Sequence, residues 1–166
     1  TLIMCFLRDF QPEYAMATLL ESLPYAHWIM GVGLDSDENG NPPANFEAVF
    51  ARARKDGYLL TCHCDVDIPH SIEHIGQAIN QIGTARIDHG TNIVEDESLV
   101  KYVAKAGIGL TSCPISNSWI SEGGKVAEIK QLVGQGVRVS INSDYPAYFG
   151  GYIGENFQYL LEAGVD

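Results

Sequence analysis

Six short apolar runs, each followed by a polar or helix-patterned segment, constrain this chain more than any other feature. The runs are Leu2–Leu7, His27–Leu34, Tyr58–Val66, Ala85–His89, Ile108–Cys113 and Val137–Ile141. They are aliphatic with little alternation, as strands covered on both faces are. Helical spacing predicts helices over 13–23, 44–55, 72–82, 125–133 and 153–161, and another from Glu95 or Asp96 that Gly107 closes. Pro12 opens the first helix, Pro24 stops it, and Ser71 is placed to cap the third. Turn residues mark Asp35–Pro43, Pro114–Ser118 and Tyr145–Gly151 as loops. Such alternation predicts parallel, right-handed βα units. An open doubly wound sheet fits this pattern, and so does an eight-stranded barrel. A barrel typically takes about 250 residues, so this chain would be roughly two-thirds of one, a single domain over 1–166.

Composition narrows the partners. A formal net charge of -11 against only ten Lys and Arg repels a phosphate backbone, so nucleic acid is not the expected ligand. With 46% hydrophobic residues the chain is neither disordered nor membrane-like. Thr1–Phe6 is apolar but meets Arg8-Asp9 at once and lacks the form of a signal peptide. Of the four cysteines, Cys62 and Cys64 share a strand face and are poorly placed to bridge each other. Free buried thiols in a reducing, cytoplasmic setting are the expectation.

Ionisable residues gather at the ends of three runs. In Tyr58–Val66 the period of two puts Thr61, His63 and Asp65 on one face and Leu60, Cys62, Cys64 and Val66 on the other. His63 there is a metal ligand, an acid–base group, or a core histidine bonded to backbone. Arg86-Ile87-Asp88-His89-Gly90 packs three ionisable residues into one strand end; a salt bridge from Arg86 accounts for part of this but not for His89. Ser140–Asp144 ends the sixth run in an acid, with a turn before Pro146 as the plainer reading. Chemistry at one end of successive strands is how α/β barrel enzymes are built. Zinc held by His and Asp would lower the pKa of a water, which suits hydrolytic attack on an amidine-like carbon. His63 and Asp144 supply only two ligands. His70 and His74 are four apart, but residue 71 is Ser, so HExxH fails. No Walker A, GxGxxG or GxSxG run is present.

These stretches together resemble the adenosine/adenine deaminase family of metal-dependent amidohydrolases, and its adenine deaminase-like branch most. The resemblance rests on Gly33–Gly57, TCHCDV at Thr61–Val66, RIDHG with IVEDESL over Arg86–Leu99, CPISN at Cys113–Asn117, and SINSDYPAYFGGYIGEN over Ser140–Asn156. It implies a (β/α)8 TIM barrel and zinc-dependent release of ammonia from a 6-aminopurine, with one Zn(2+) per complete subunit. It implies that His63 and Asp144 bind the metal, that His89 orients the attacking water, and that Gly33, Asp35 and Tyr145 contact the substrate.

Three departures qualify that picture. The family opens with an HxH pair that this sequence lacks, so the chain is expected to begin near the third strand, to lack the first two, and to be inactive alone. The partner then expected is a homo-oligomer or the missing N-terminal part, besides a small purine or related aminated heterocycle. The family's proton-donating glutamate falls on Val66, which leaves Asp65 first and Asp67 next as the catalytic acid, with Glu73 more distant. The family's second aspartate is Tyr145, which does not carry that charge at neutral pH. An inactive or truncated homologue without a complete metal site is the alternative.

Overall fold

Short aliphatic runs become strands where they can pair. The computed structural model describes residues 1–64 and 68–165. Among these described residues six strands form: β1 (Leu2–Leu7), β2 (Ile29–Asp35), β3 (Leu59–Cys64), β4 (Arg86–His89), β5 (Gly109–Ser112) and β6 (Arg138–Ile141). Their hydrogen-bonded order is the chain order. The β1–β2, β2–β3 and β5–β6 pairs are parallel. The chain divides into two units, one holding residues 1–64 and 68–87 and the other holding residues 88–165.

In the first unit the strands are joined by α1 (Pro12–Ser22) and α2 (Glu47–Lys55), and α3 (Ser71–Gln77) follows β3. Cys5, Gly33 and Thr61 lie abreast across β1, β2 and β3. A Cβ on Gly33 would stand 2.9 Å from both Cys5 Sγ and Thr61 Cγ2, and one on Gly31 would stand 2.7 Å from the Leu59 carbonyl oxygen. The neighbouring strands therefore come close to the backbone at both glycines. Phe6 and Phe50 meet edge-on at 5.7 Å, with Leu19, Val49 and Ala53 buried in the same unit.

The second unit carries α4 (Glu97–Ala106), α5 (Pro114–Ser118), α6 (Val126–Gly134), α7 (Pro146–Phe149) and α8 (Ile153–Glu162). Of the two starts the sequence allows, Glu95 and Asp96, it is Asp96 that caps α4, its carboxylate accepting from the Ser98 and Leu99 N–H groups. Gly107 closes α4 at φ 71.

Several expectations are corrected. Against the expectation of a chain that opens at a third strand, Leu2–Leu7 forms the first strand of the described sheet, paired along its length with β2. It is not a fully buried strand, since Leu2, Ile3 and Leu7 are exposed and Phe6 alone is buried. Pro114–Ser118 and the core of Tyr145–Gly151 are helices rather than loops. In both, proline occupies the first turn, where its missing N–H costs nothing. Pro24 likewise sits inside a 3-10 turn, Leu23–Trp28, that delays β2 to Ile29. Ser71 does not cap α3; it is the first helical residue, after His70 in a left-handed conformation. Cys5 is exposed, while Cys62, Cys64 and Cys113 are buried, and none of the four is in a disulfide. Among the described residues no helix is long and apolar enough to cross a membrane.

Candidate active site

The end of β4 delivers His89 at φ 64, followed by Gly90 at φ 71. Two left-handed residues in succession turn the chain sharply, and only the second is a glycine. His89 is 5% exposed. Its Nδ1 lies 3.0 Å from Asn117 Oδ1 on α5. With a carbonyl oxygen as partner, Nδ1 is the donor, and in a neutral ring the proton is then off Nε2. Nε2 lies 4.0 Å from Asp144 Oδ2.

Asp144 follows β6 and is also left-handed, at φ 55. Its Oδ2 accepts a 2.5 Å hydrogen bond from the Ser116 hydroxyl. Adjacent residues of α5 thus grip both site residues, Ser116 the carboxylate and Asn117 the imidazole. The helix is anchored in turn, for Asn156 Oδ1 on α8 accepts from the Ile115 N–H at 3.1 Å. On the same strand as His89, Asp88 Oδ1 accepts from the Thr111 hydroxyl of β5 at 2.8 Å.

Cys113 completes the group. One ligand atom each from His89, Cys113 and Asp144 lie within 4.8 Å of one another. Burial, and then the Asp144 carboxylate, push the Cys113 thiol up to about 12. Imidazole, thiol and carboxylate are the donor types that zinc accepts, so the donor set fits a divalent transition metal. Sequence reasoning missed Cys113, although it ends an apolar run directly before a proline, much as the other site residues end theirs.

The first unit holds His63 at the end of β3. Its Nδ1 is hydrogen-bonded to Glu38 Oε1, and its carbonyl accepts from Arg8 Nη1 at 2.7 Å. Cys62 and Cys64 share a buried face, with Sγ–Sγ 3.6 Å. The Cys62 thiol and burial raise the Cys64 pKa. Asp35 Oδ1 accepts from the Ser36 N–H at 2.8 Å. Tyr145, in the second unit, is exposed. Asp65 and Asp67 lie outside the described residues. The His70/His74 spacing does not make a ligand pair: His70 is exposed beside Glu73, whereas His74 is buried and its pKa is lowered by that burial.

The βα rhythm, with ionisable side chains at the carboxyl ends of strands, is the arrangement of the α/β-barrel class of folds. The chain belongs to the adenosine deaminase family, whose model matches residues 1–164. The match begins at residue 1, so it takes in β1 with the rest of the described sheet. An uncharacterized deaminase of Schizosaccharomyces pombe is 49% identical over 165 residues, covering 99% of this chain and 48% of that protein. An adenine deaminase of Crocosphaera subtropica is 44% identical, covering 98% and 50%. The crystal structure of an adenine deaminase from Arthrobacter aurescens superimposes with a TM-score of 0.88 at 35% identity, covering 96% of this chain and 49% of that one. A Burkholderia ambifaria amidohydrolase with bound Zn shares the fold, with a TM-score of 0.89 at 23% identity over 99% of this chain and 47% of that one. The chain spans about half the length of the curated relatives it matches.

Proposed function

We propose that this protein takes part in zinc-dependent hydrolytic deamination of a 6-aminopurine, with adenine as the first substrate to test. The observation that carries the reading is the meeting of His89 and Asp144 beside Cys113, in a chain whose family relatives include adenine deaminases. The reaction replaces the amino group on the purine C6 with oxygen from water and releases ammonia. Zinc, when bound, would lower the pKa of the attacking water toward neutrality. Asp144 is the described carboxylate for that metal, and His63 is the second ligand that the family motif implies.

The chain's own residues supply the rest. His89, as a neutral ring, turns Nε2 toward Asp144, suited to orient the water and accept its proton. Asn117 holds the opposite nitrogen, so the proton-accepting atom does not have to be chosen during turnover. Asp65, or else Asp67, would protonate the purine ring nitrogen in place of the glutamate position taken by Val66. Gly33, Asp35 and Tyr145 are the proposed substrate contacts. Tyr145 brings a phenol where the family has a carboxylate, which favours an altered contact to the imidazole edge of the base.

The test is ammonia release from adenine and from adenosine, before and after removal of zinc by a chelator. Release that stops on chelation and returns with zinc supports the reading. No release from any 6-aminopurine with zinc present contradicts it.

A further inference from the structure

Glu38 lies within the Gly33–Gly57 stretch but is given no role by it, yet it is buried, 6% exposed, against a ring that the family motif implicates in metal binding. It comes from the polar stretch after β2, where sequence alone suggests a solvated loop. Arg8, just past β1, is 1% exposed and holds the group together. Its N–H donates to the Asp35 carbonyl at 2.9 Å and its Nε to the Asn41 carbonyl at 2.9 Å. Its Nη1 donates to the His63 carbonyl at 2.7 Å and stands 3.5 Å from Glu38 Oε1. One guanidinium therefore fixes the backbone of His63 and the carboxylate that meets its ring.

We propose that Glu38, held by Arg8, is a positioning residue: it fixes His63 in the tautomer with a proton on Nδ1, so that Nε2 is the ring's ligating atom. The inference rests on the reading of His63 as a metal ligand. An ionised carboxylate only accepts hydrogen bonds, so the ring nitrogen facing it must donate. A neutral imidazole with its proton on Nδ1 leaves the Nε2 lone pair for a cation. Carboxylates paired with metal-bound histidines act in this way, setting tautomer and ring direction. A buried ion pair contributes little to stability compared with an apolar replacement of similar volume. Its placement against a strand-end histidine therefore favours a positioning role over a purely structural one.

Two measurements test this. In the zinc-free protein, nitrogen NMR of the imidazoles should show His63 protonated at Nδ1 and bare at Nε2. A bare Nδ1 overturns the proposal without any variant being made. In zinc titrations, Glu38→Ala should weaken binding by about 10- to 100-fold. Glu38→Gln, which keeps an acceptor oxygen, should restore most of it. Zinc binding by Glu38→Ala equal to that of the unaltered protein, with His63→Ala binding weakly, overturns the positioning role. Unaltered zinc binding by His63→Ala instead removes the metal-ligand reading of His63, and the NMR result then decides the tautomer by itself.

Discussion

His89 Nε2 and Asp144 Oδ2 stand 4.0 Å apart, and both residues hold left-handed backbones, φ 64 and φ 55. Such conformations are uncommon away from glycine and cost on the order of 1–3 kcal/mol each. Both sit just where a strand gives way to a turn. The side chains reach each other because the backbone turns at these two points and because α5 grips both, through Asn117 and Ser116.

Removing the grip should loosen the pair without removing it. Asn117→Ala is expected to lower kcat for ammonia release by about 10- to 100-fold, at or below the lower end of the 10²–10⁴-fold range that a positioned acid or base supplies. KM for adenine should change little. A larger rise in KM than fall in kcat would place Asn117 in substrate binding instead.

Gly31 and Gly33 face different obstacles. An alanine Cβ at 31 meets a backbone carbonyl at 2.7 Å, whereas one at 33 meets the ends of Cys5 and Thr61 side chains at 2.9 Å. Overpacking of this kind costs about 1–3 kcal/mol. Urea unfolding should show Gly31→Ala more destabilised than Gly33→Ala, because a paired carbonyl on β3 cannot swing aside.

Asp96 gives stability a dependence on pH. The Ser98 hydroxyl and the Leu99 N–H hold its carboxyl below the ordinary value. A folded pKa below the unfolded one means that its stabilisation is present above about pH 4, the unfolded carboxylate value, and is lost as pH falls through the folded value. Thermal melts should show Asp96→Ala less stable than the unaltered protein at neutral pH. The gap should shrink as pH drops below about 4.

The strands were legible because aliphatic runs and a two-residue period survive without tertiary information. The stop at Gly107 and, to within Glu95 or Asp96, the start of α4 were legible for similar reasons: each depends on its own neighbours. The two short helices α5 and α7 were not, because Pro114 and Pro146 read as turn residues unless the following four residues are known to coil. That loss mattered, since Ser116 and Asn117 do their positioning from α5. Cys113 was hidden by its chemistry, a thiol being an ordinary core residue until a carboxylate and an imidazole are placed around it. The Arg8–Glu38–His63 contacts join residues up to 55 positions apart, beyond the reach of any local pattern.

Thiol reactivity should separate the cysteines. Cys5 is exposed, while Cys113 is buried with its pKa pushed up to about 12 by that burial and by Asp144. Alkylation of the zinc-free protein at pH 7.5 (about one unit below an ordinary thiol), followed by mass spectrometry, should label Cys5 first. Cys62, Cys64 and Cys113 should resist until the protein is unfolded. Early labelling of Cys113 would contradict its placement against Asp144.

The central claim is that Asp144 and His89 serve one hydrolytic water, and its most direct measurement is ammonia release from adenine by the zinc-supplemented protein beside Asp144→Asn. The account predicts release by the unaltered protein and a fall of at least about 10²-fold in the variant. Equal rates in the two proteins would contradict it.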